Sequence, residues 1–192
     1  MDIVVSDLVK SYRDNLVLDR FSATFKESQI TCLMGPSGCG KTTLLNILMG
    51  LLSPDSGTVE GVPHLKSAVF QEDRLCEGFN AVSNVALVCG KKVDKAEIMA
   101  QLGSIGIDEF IKPVSEFSGG MKRRVAIVRA IMARSDVIFL DEPFKGLDEK
   151  TKGETIQYVK NNVGDRTVIM VTHNIEEVKA LGGQLIEMDN KA

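Results

Sequence analysis

The segment Gly35-Pro36-Ser37-Gly38-Cys39-Gly40-Lys41-Thr42 lies between a nearly unbroken apolar run, Ile30-Thr31-Cys32-Leu33-Met34, and a stretch of helical apolar spacing from Lys41 to Leu52. It fits G-x-x-x-x-G-K-[ST] in the one context that the pattern requires, between a buried strand and a helix. Its glycines let the backbone wrap closely, so that several N–H groups and a helix N-terminus face phosphate oxygens. Lys41 then reaches the terminal phosphates of a nucleotide, the Thr42 hydroxyl is placed for Mg²⁺, and Thr43, in the first helical turn, is expected among the nucleotide-binding residues. A Gly-rich turn that binds nothing has no need of strand, loop and helix in register.

Such a site needs an acid at the end of a second buried strand, and Val137-Ile138-Phe139-Leu140-Asp141-Glu142-Pro143 supplies it. Four apolar residues bury the strand, Pro143 stops the ladder for want of an N–H, and two carboxylates remain at the carboxyl end, where α/β proteins place ligands. Asp141 is the candidate Mg²⁺ holder. Glu142 is the candidate to orient or deprotonate an attacking water, so a hydrolytic role is favoured over nucleotide binding alone.

The surrounding pattern is consistent with that frame. Residues 1 to 34 read as β, with Phe21, Ala23 and Phe25 alternating against Ser22 and Thr24. The Gly-punctuated stretch around Thr58-Val59-Glu60-Gly61 reads as a hairpin, and Ser67 to Phe70 as a short strand. Between about 72 and 117 strand signals vanish, which predicts a small helical insertion. Strands and helices then alternate: a helix from Ser118, the strand at Val137, a polar helix over 149–162, a strand over Thr167 to Thr172, a helix from Asn174 and a strand near Leu185 to Met188. Alternation of this kind predicts a parallel or mixed sheet with helices on its faces.

A second helix start of phosphate-binding type, Phe117-Ser118-Gly119-Gly120-Met121-Lys122-Arg123-Arg124, lies 23 positions before Asp141. With these motifs in order the chain resembles the ATP-binding cassette (ABC) ATPases, whose signature is commonly L-S-G-G-Q, from about residue 1 to 188. The resemblance implies a P-loop NTPase fold of the α/β class with a mixed or parallel sheet core, an N-terminal antiparallel β subdomain and the helical insertion, all in one domain over 1–192. It implies ATP and Mg²⁺ as ligands, with Thr42, Gln71 and Asp141 at the metal. It also implies that Tyr12 stacks on adenine and that Gln71 contacts Mg²⁺ and the attacking water. Asp148, in Gly146-Leu147-Asp148, is then expected at a dimer seam, and His173 at the γ-phosphate. Ser118, Gly119 and Gly120 of one cassette would close over ATP held by another, in a head-to-tail homodimer. Phe117 and Met121 replace the commoner Leu and Gln of the signature, and Lys145-Gly146 replaces the Ser-Ala often seen after the acidic strand.

Composition bounds the partners. Of 192 residues, 44% are hydrophobic and 26% charged, the balance of a folded soluble domain, and 23 Lys+Arg against 26 Asp+Glu leave a net charge of −3. No whole-chain attraction to nucleic acid or an anionic membrane follows, so no nucleic-acid partner is expected. Lys122, Arg123, Arg124, Arg129 and Arg134 read as the solvated face of a helix whose other face is Val125, Val128 and Met132. No apolar run reaches bilayer length, and Asp2 stands where a secretory leader would carry positive charge, so a cytoplasmic location is expected. Cys39, beside Lys41 at a helix N-terminus, is expected to react with alkylating agents unless nucleotide covers it.

Cassettes of this family power transporters or serve soluble roles on DNA and ribosomes. The 46 residues between Gln71 and Ser118 hold no sustained heptads, against the DNA-related members with their long coiled coils. Asp-Glu-Pro-Phe-Lys-Gly-Leu-Asp and Val-Thr-His-Asn-Ile-Glu-Glu-Val look most like bacterial importer cassettes of the nitrate, sulfonate and taurine type. The resemblance therefore implies permease subunits and a substrate-binding protein as partners, on the inner face of the cell membrane, with a soluble non-transport ABC ATPase as the alternative. Phe79, Val82, Val85 and Leu87 fall where such cassettes grip a permease, or else form the core of the insertion.

Overall fold

Val137–Asp141 and Thr167–Val171 are buried at every position, which suits only strands covered on both faces. The computed structural model describes residues 1–13, 15–90 and 93–189. Its strands are β1 (Ile3–Tyr12), β2 (Asn15–Phe25), β3 (Ile30–Met34), β4 (Ser56–Glu60), β5 (Lys66–Val69), β6 (Val137–Asp141), β7 (Thr167–Val171) and β8 (Gln184–Glu187). Its helices are α1 (Lys41–Met49), α2 (Ala81–Ala86), α3 (Lys95–Gly103), α4 (Gly119–Met132), α5 (Glu149–Asn162) and α6 (Ile175–Leu181). Five strands form a parallel sheet in the order β5-β6-β7-β3-β8, and three form an antiparallel sheet in the order β2-β1-β4.

The two-residue period of the central strands divides the interior in two. Ile138, Leu140, Val168, Met170 and Cys32 point into a cluster shared with α4, α2 and α3, while Val137, Phe139, Ile169, Val171 and Leu33 point into one shared with α1 and the antiparallel sheet. Burying one such aliphatic side chain contributes roughly 1.5–3 kcal/mol, so each face of the sheet is held by many moderate terms. Within the helical segment Ala81, Val85, Ile98 and Leu102 are fully buried, and wholly buried Asn84 ties its entry loop by accepting from Cys76 N and donating to the carbonyls of Cys76, Phe79 and Asn80.

One expectation is corrected. The segment around Thr58 to Gly61 is a single strand, β4, that completes the free edge of β1, with Val4 opposite Glu60 and Ser6 opposite Thr58. Its glycines serve close approach and not a reversal: at Gly57 (φ +90°) a Cβ would fall 2.5 Å from the Asp7 carbonyl oxygen. Helix α1 also ends at Met49, before Gly50, earlier than its apolar spacing predicts.

Because the central strands are parallel, the loops after β3, β5, β6 and β7 leave the sheet together at its carboxyl end. Those loops carry Gly35 to Gly40, Gln71, Glu142 and His173, and Asp141, the last residue of β6, pairs with Val171 of β7.

Candidate active site

The loop from Gly35 to Gly40 folds around its own lysine. Lys41 is nearly buried and its Nζ donates to the carbonyls of Gly35 and Pro36, each at 2.7 Å. Gly40 begins α1 at φ +94°, and a Cβ there would meet Leu18 Cδ2 at 2.7 Å. No side chain caps α1, so its first N–H groups stay available to an acceptor from outside the chain. One cleft is lined by Ser37, Gly38, Gly40, Lys41, Thr42 and Thr43, together with Gln71, Asp141 and Glu142, and also by Val17, Lys145 and Val171.

Asp141 and Thr42, 99 positions apart, meet in this cleft, the Thr42 hydroxyl donating to Asp141 Oδ2 at 2.9 Å. Burial raises the Asp141 carboxyl above its ordinary value, and neighbouring Glu142 adds to this; the Thr42 hydrogen bond and the charge of Lys41 offset part of it. Glu142 stands just beyond the strand with φ +47°, a strained value for a side chain of its size. Its two oxygens are held separately, Oε2 by Lys145 Nζ at 2.7 Å and Oε1 by His173 Nδ1 at 3.5 Å. Burial pushes its carboxyl up, but Lys145, with His173 behind it, more than offsets that and leaves it below its ordinary value.

The other expected residues lie apart. Ser118 caps α4 by accepting from Met121 N, and with Gly119 it is exposed and outside the cleft. Asp148 caps α5 by accepting from Thr151 N at 3.0 Å, and it too is exposed. Tyr12, at the end of β1, is 48% exposed and does not line the cleft, whereas Val17 of β2 does. Among the described residues, then, the uncapped helix start of α1 opens into the cleft, and the serine-capped start of α4 lies outside it.

The basic face of α4 is not the solvated face expected. Arg123 is 8% exposed and donates to the carbonyls of Phe70 and Gln71 at 2.7 and 2.6 Å, while its Nε pairs with Asp73 at 3.1 Å. Arg129 donates to the carbonyls of Asp73 and Arg74, and Arg124 to that of Ile105. The guanidinium groups of Arg123 and Arg129 fasten the loop that carries Gln71, and that of Arg124 fastens the turn after α3, uses that helical periodicity alone gives no sign of. Lys145 is the other residue missed; its departure from the usual residue at that place was its only signal.

Cys39 is also corrected: it is 5% exposed and packs into the apolar cluster below the loop. Burial pushes the Cys32 thiol up to about 12, and Cys76 is the exposed cysteine. Brief treatment with iodoacetamide at about pH 8 is expected to label Cys76 while Cys32 and Cys39 stay unmodified, read by peptide mass spectrometry. Labelling of Cys39 ahead of Cys76 would contradict its burial.

Known proteins resemble the chain in sequence and in fold. A family model described as ABC transporter matches residues 18–145. The aliphatic sulfonates import ATP-binding protein SsuB 1 of Rhodococcus jostii (strain RHA1) is 36% identical over 91% of this chain and 74% of its own length. The taurine import ATP-binding protein TauB of Pseudomonas aeruginosa (strain UCBPP-PA14) is 35% identical over 90% of this chain and 72% of its own. Among solved structures, the dimeric bacterial ABC transporter cassette MJ0796 superposes with a TM-score of 0.83 at 28% identity, covering 97% of this chain and 94% of that one.

Proposed function

The chain belongs to the ABC transporter family, and from that premise we propose that it is the subunit that binds and hydrolyses ATP to power a membrane transporter of the importer type. The observation that carries this reading is the meeting of Thr42 and Asp141 at 2.9 Å in a cleft with Lys41, Gln71 and Glu142. Lys41 and the open N–H groups of α1 bind the phosphates, and Glu142, oriented by His173 and Lys145, takes the proton of the attacking water.

The donor set suits Mg²⁺: Thr42 Oγ1, Asp141 Oδ2 and the Gln71 amide oxygen are hard oxygen ligands in one cleft. When bound, the ion neutralises charge on the β- and γ-phosphates.

The Ser118-Gly119-Gly120 start, exposed at Ser118 and Gly119, belongs over the cleft of a second copy, so two chains in a two-fold head-to-tail pair complete two sites. Asp148 lies at that seam and Tyr12 meets the adenine. No helix among the described residues is long and apolar enough to cross a membrane, so permease subunits supply the span. Of the apolar residues of the helical segment, Val82 and Val85 are core, whereas Phe79 and Leu87 are 48% and 57% exposed and form the surface offered to a permease on the inner face of the membrane. A substrate-binding protein completes the importer. The soluble nucleic-acid reading loses its basic patch, since Arg123, Arg124 and Arg129 are committed to carbonyls of this chain.

The test is ATP binding and phosphate release by the purified protein with Mg-ATP, alongside Lys41→Ala. The substitution removes a charged donor to the phosphates and is expected to weaken ATP binding roughly 10- to 100-fold and to abolish measurable turnover. A Lys41→Ala protein with the parent's ATP affinity would overturn the assignment of the cleft.

A further inference from the structure

The turn after β6 is built firmly. Phe144 is 1% exposed in the core, Lys145 N donates to Glu142 O at 3.2 Å and Leu147 N donates to Phe144 O at 3.3 Å. The backbone between Glu142 and Lys145 is thus fixed, and the Lys145 side chain runs back along it into the cleft that holds Thr42, Gln71 and Asp141. Its ammonium lies 2.7 Å from Glu142 Oε2. Half-exposed i,i+3 pairs of this kind add little to stability, so the fold does not depend on this one. What the pair does fix is the direction of a carboxylate whose other oxygen faces His173.

We propose that Lys145 is a positioning residue for ATP hydrolysis: it holds Glu142 Oε2 so that Oε1 stays on the His173 side of the cleft, where the attacking water is deprotonated. This rests on Glu142 being the proton acceptor proposed above. Pairing with an ammonium makes a carboxylate a weaker base, a cost that solvent around the half-exposed lysine reduces. A carboxylate free to sweep its rotamers loses near-attack geometry, where a displacement of 1 Å already costs up to about 100-fold in rate. Lys145 therefore acts through orientation, and the loss on its removal is the loss of that geometry.

The experiment compares the parent with Lys145→Met, Lys145→Arg, Glu142→Gln and the double variant Glu142→Gln/Lys145→Met, measuring kcat, KM, ATP affinity by calorimetry and thermal unfolding. Lys145→Met is expected to lower kcat roughly 10-fold or more while KM and ATP affinity stay within about twofold and Tm within about 2 °C. Lys145→Arg is expected to recover most of the loss, since a guanidinium reaches the same oxygen. In the Glu142→Gln background the Lys145 substitution is expected to add no further loss, because both act through one group. A Lys145→Met protein with the parent's kcat or a higher one overturns the proposal, as does a change confined to KM or an equal loss in Lys145→Met and Lys145→Arg. If Glu142→Gln itself turns over like the parent, the assignment of Glu142 fails and the proposal with it; if only the Lys145 variants behave like the parent, the assignment of Glu142 stands alone.

Discussion

Glu142→Gln is expected to bind Mg-ATP as tightly as the parent, to hydrolyse it at least roughly 100-fold more slowly and to accumulate as a dimer. Binding survives because the proposed function gives the phosphates to Lys41 and the first N–H groups of α1, and the metal to Thr42, none of which the substitution touches. Turnover falls because an amide of the same size keeps its place beside Lys145 and His173 but accepts no proton from water. General-base assistance contributes typically 10²–10⁴ in rate, which sets the scale. The dimer belongs to the proposed function: the Ser118 helix start is exposed and does not line its own cleft, so it is open to the cleft of a second chain. If hydrolysis reopens that pair, blocking it leaves the closed form populated. Light scattering after size exclusion with saturating Mg-ATP reads the result. A Glu142→Gln protein that remains monomeric at high concentration would remove the dimer, and one with the parent's turnover would remove Glu142 as the base.

The residues that this experiment probes were legible in the sequence because each sits at a boundary that local chemistry marks. Lys41 and Thr42 follow a glycine-bearing loop out of an apolar run, and Asp141 and Glu142 end another apolar run at a proline. The parallel sheet needed only the alternation of such runs with helical spacing. What local chemistry does not encode is which distant group a side chain will meet. β4 carries strand spacing and glycines whether it pairs with a neighbour in sequence or with β1, and only the unfilled edge of β1 decides. Arg123 has the periodicity of a solvent-facing position on α4. Its burial depends on carbonyls 52 and 53 positions away, presented by a loop whose path is set by β5. Lys145 sits in a turn whose direction is fixed by the buried Phe144 and by the positive φ at Glu142, neither of which spacing reveals.

Arg123→Met is expected to lower both stability and turnover, and the two losses have one source. The arginine is 8% exposed and makes three charged contacts, to the carbonyls of Phe70 and Gln71 and to Asp73. Methionine fills much of its volume and replaces none of them, leaving two carbonyls short of a donor and the Asp73 carboxylate without its main cation. Burial already holds the Asp73 carboxyl above its ordinary value, with Arg123 the largest opposing influence. Removing one partner of such a pair costs about 3–5 kcal/mol when it is fully buried, and the side chain of Asp73 is 20% exposed, so about 2–4 kcal/mol is the expected loss. For a chain of this size that corresponds to a fall in Tm of roughly 5–15 °C. Turnover suffers below the new Tm as well, because Gln71 then leaves the cleft edge where Arg123 holds its backbone, and kcat is expected to drop more than ATP affinity. Arg123→Lys does not rescue, since a single ammonium cannot serve three acceptors spread over a planar fork. Thermal unfolding and steady-state kinetics at about 25 °C separate the two effects, and a Tm within about 2 °C of the parent in Arg123→Met would show that the fastening of the loop lies elsewhere.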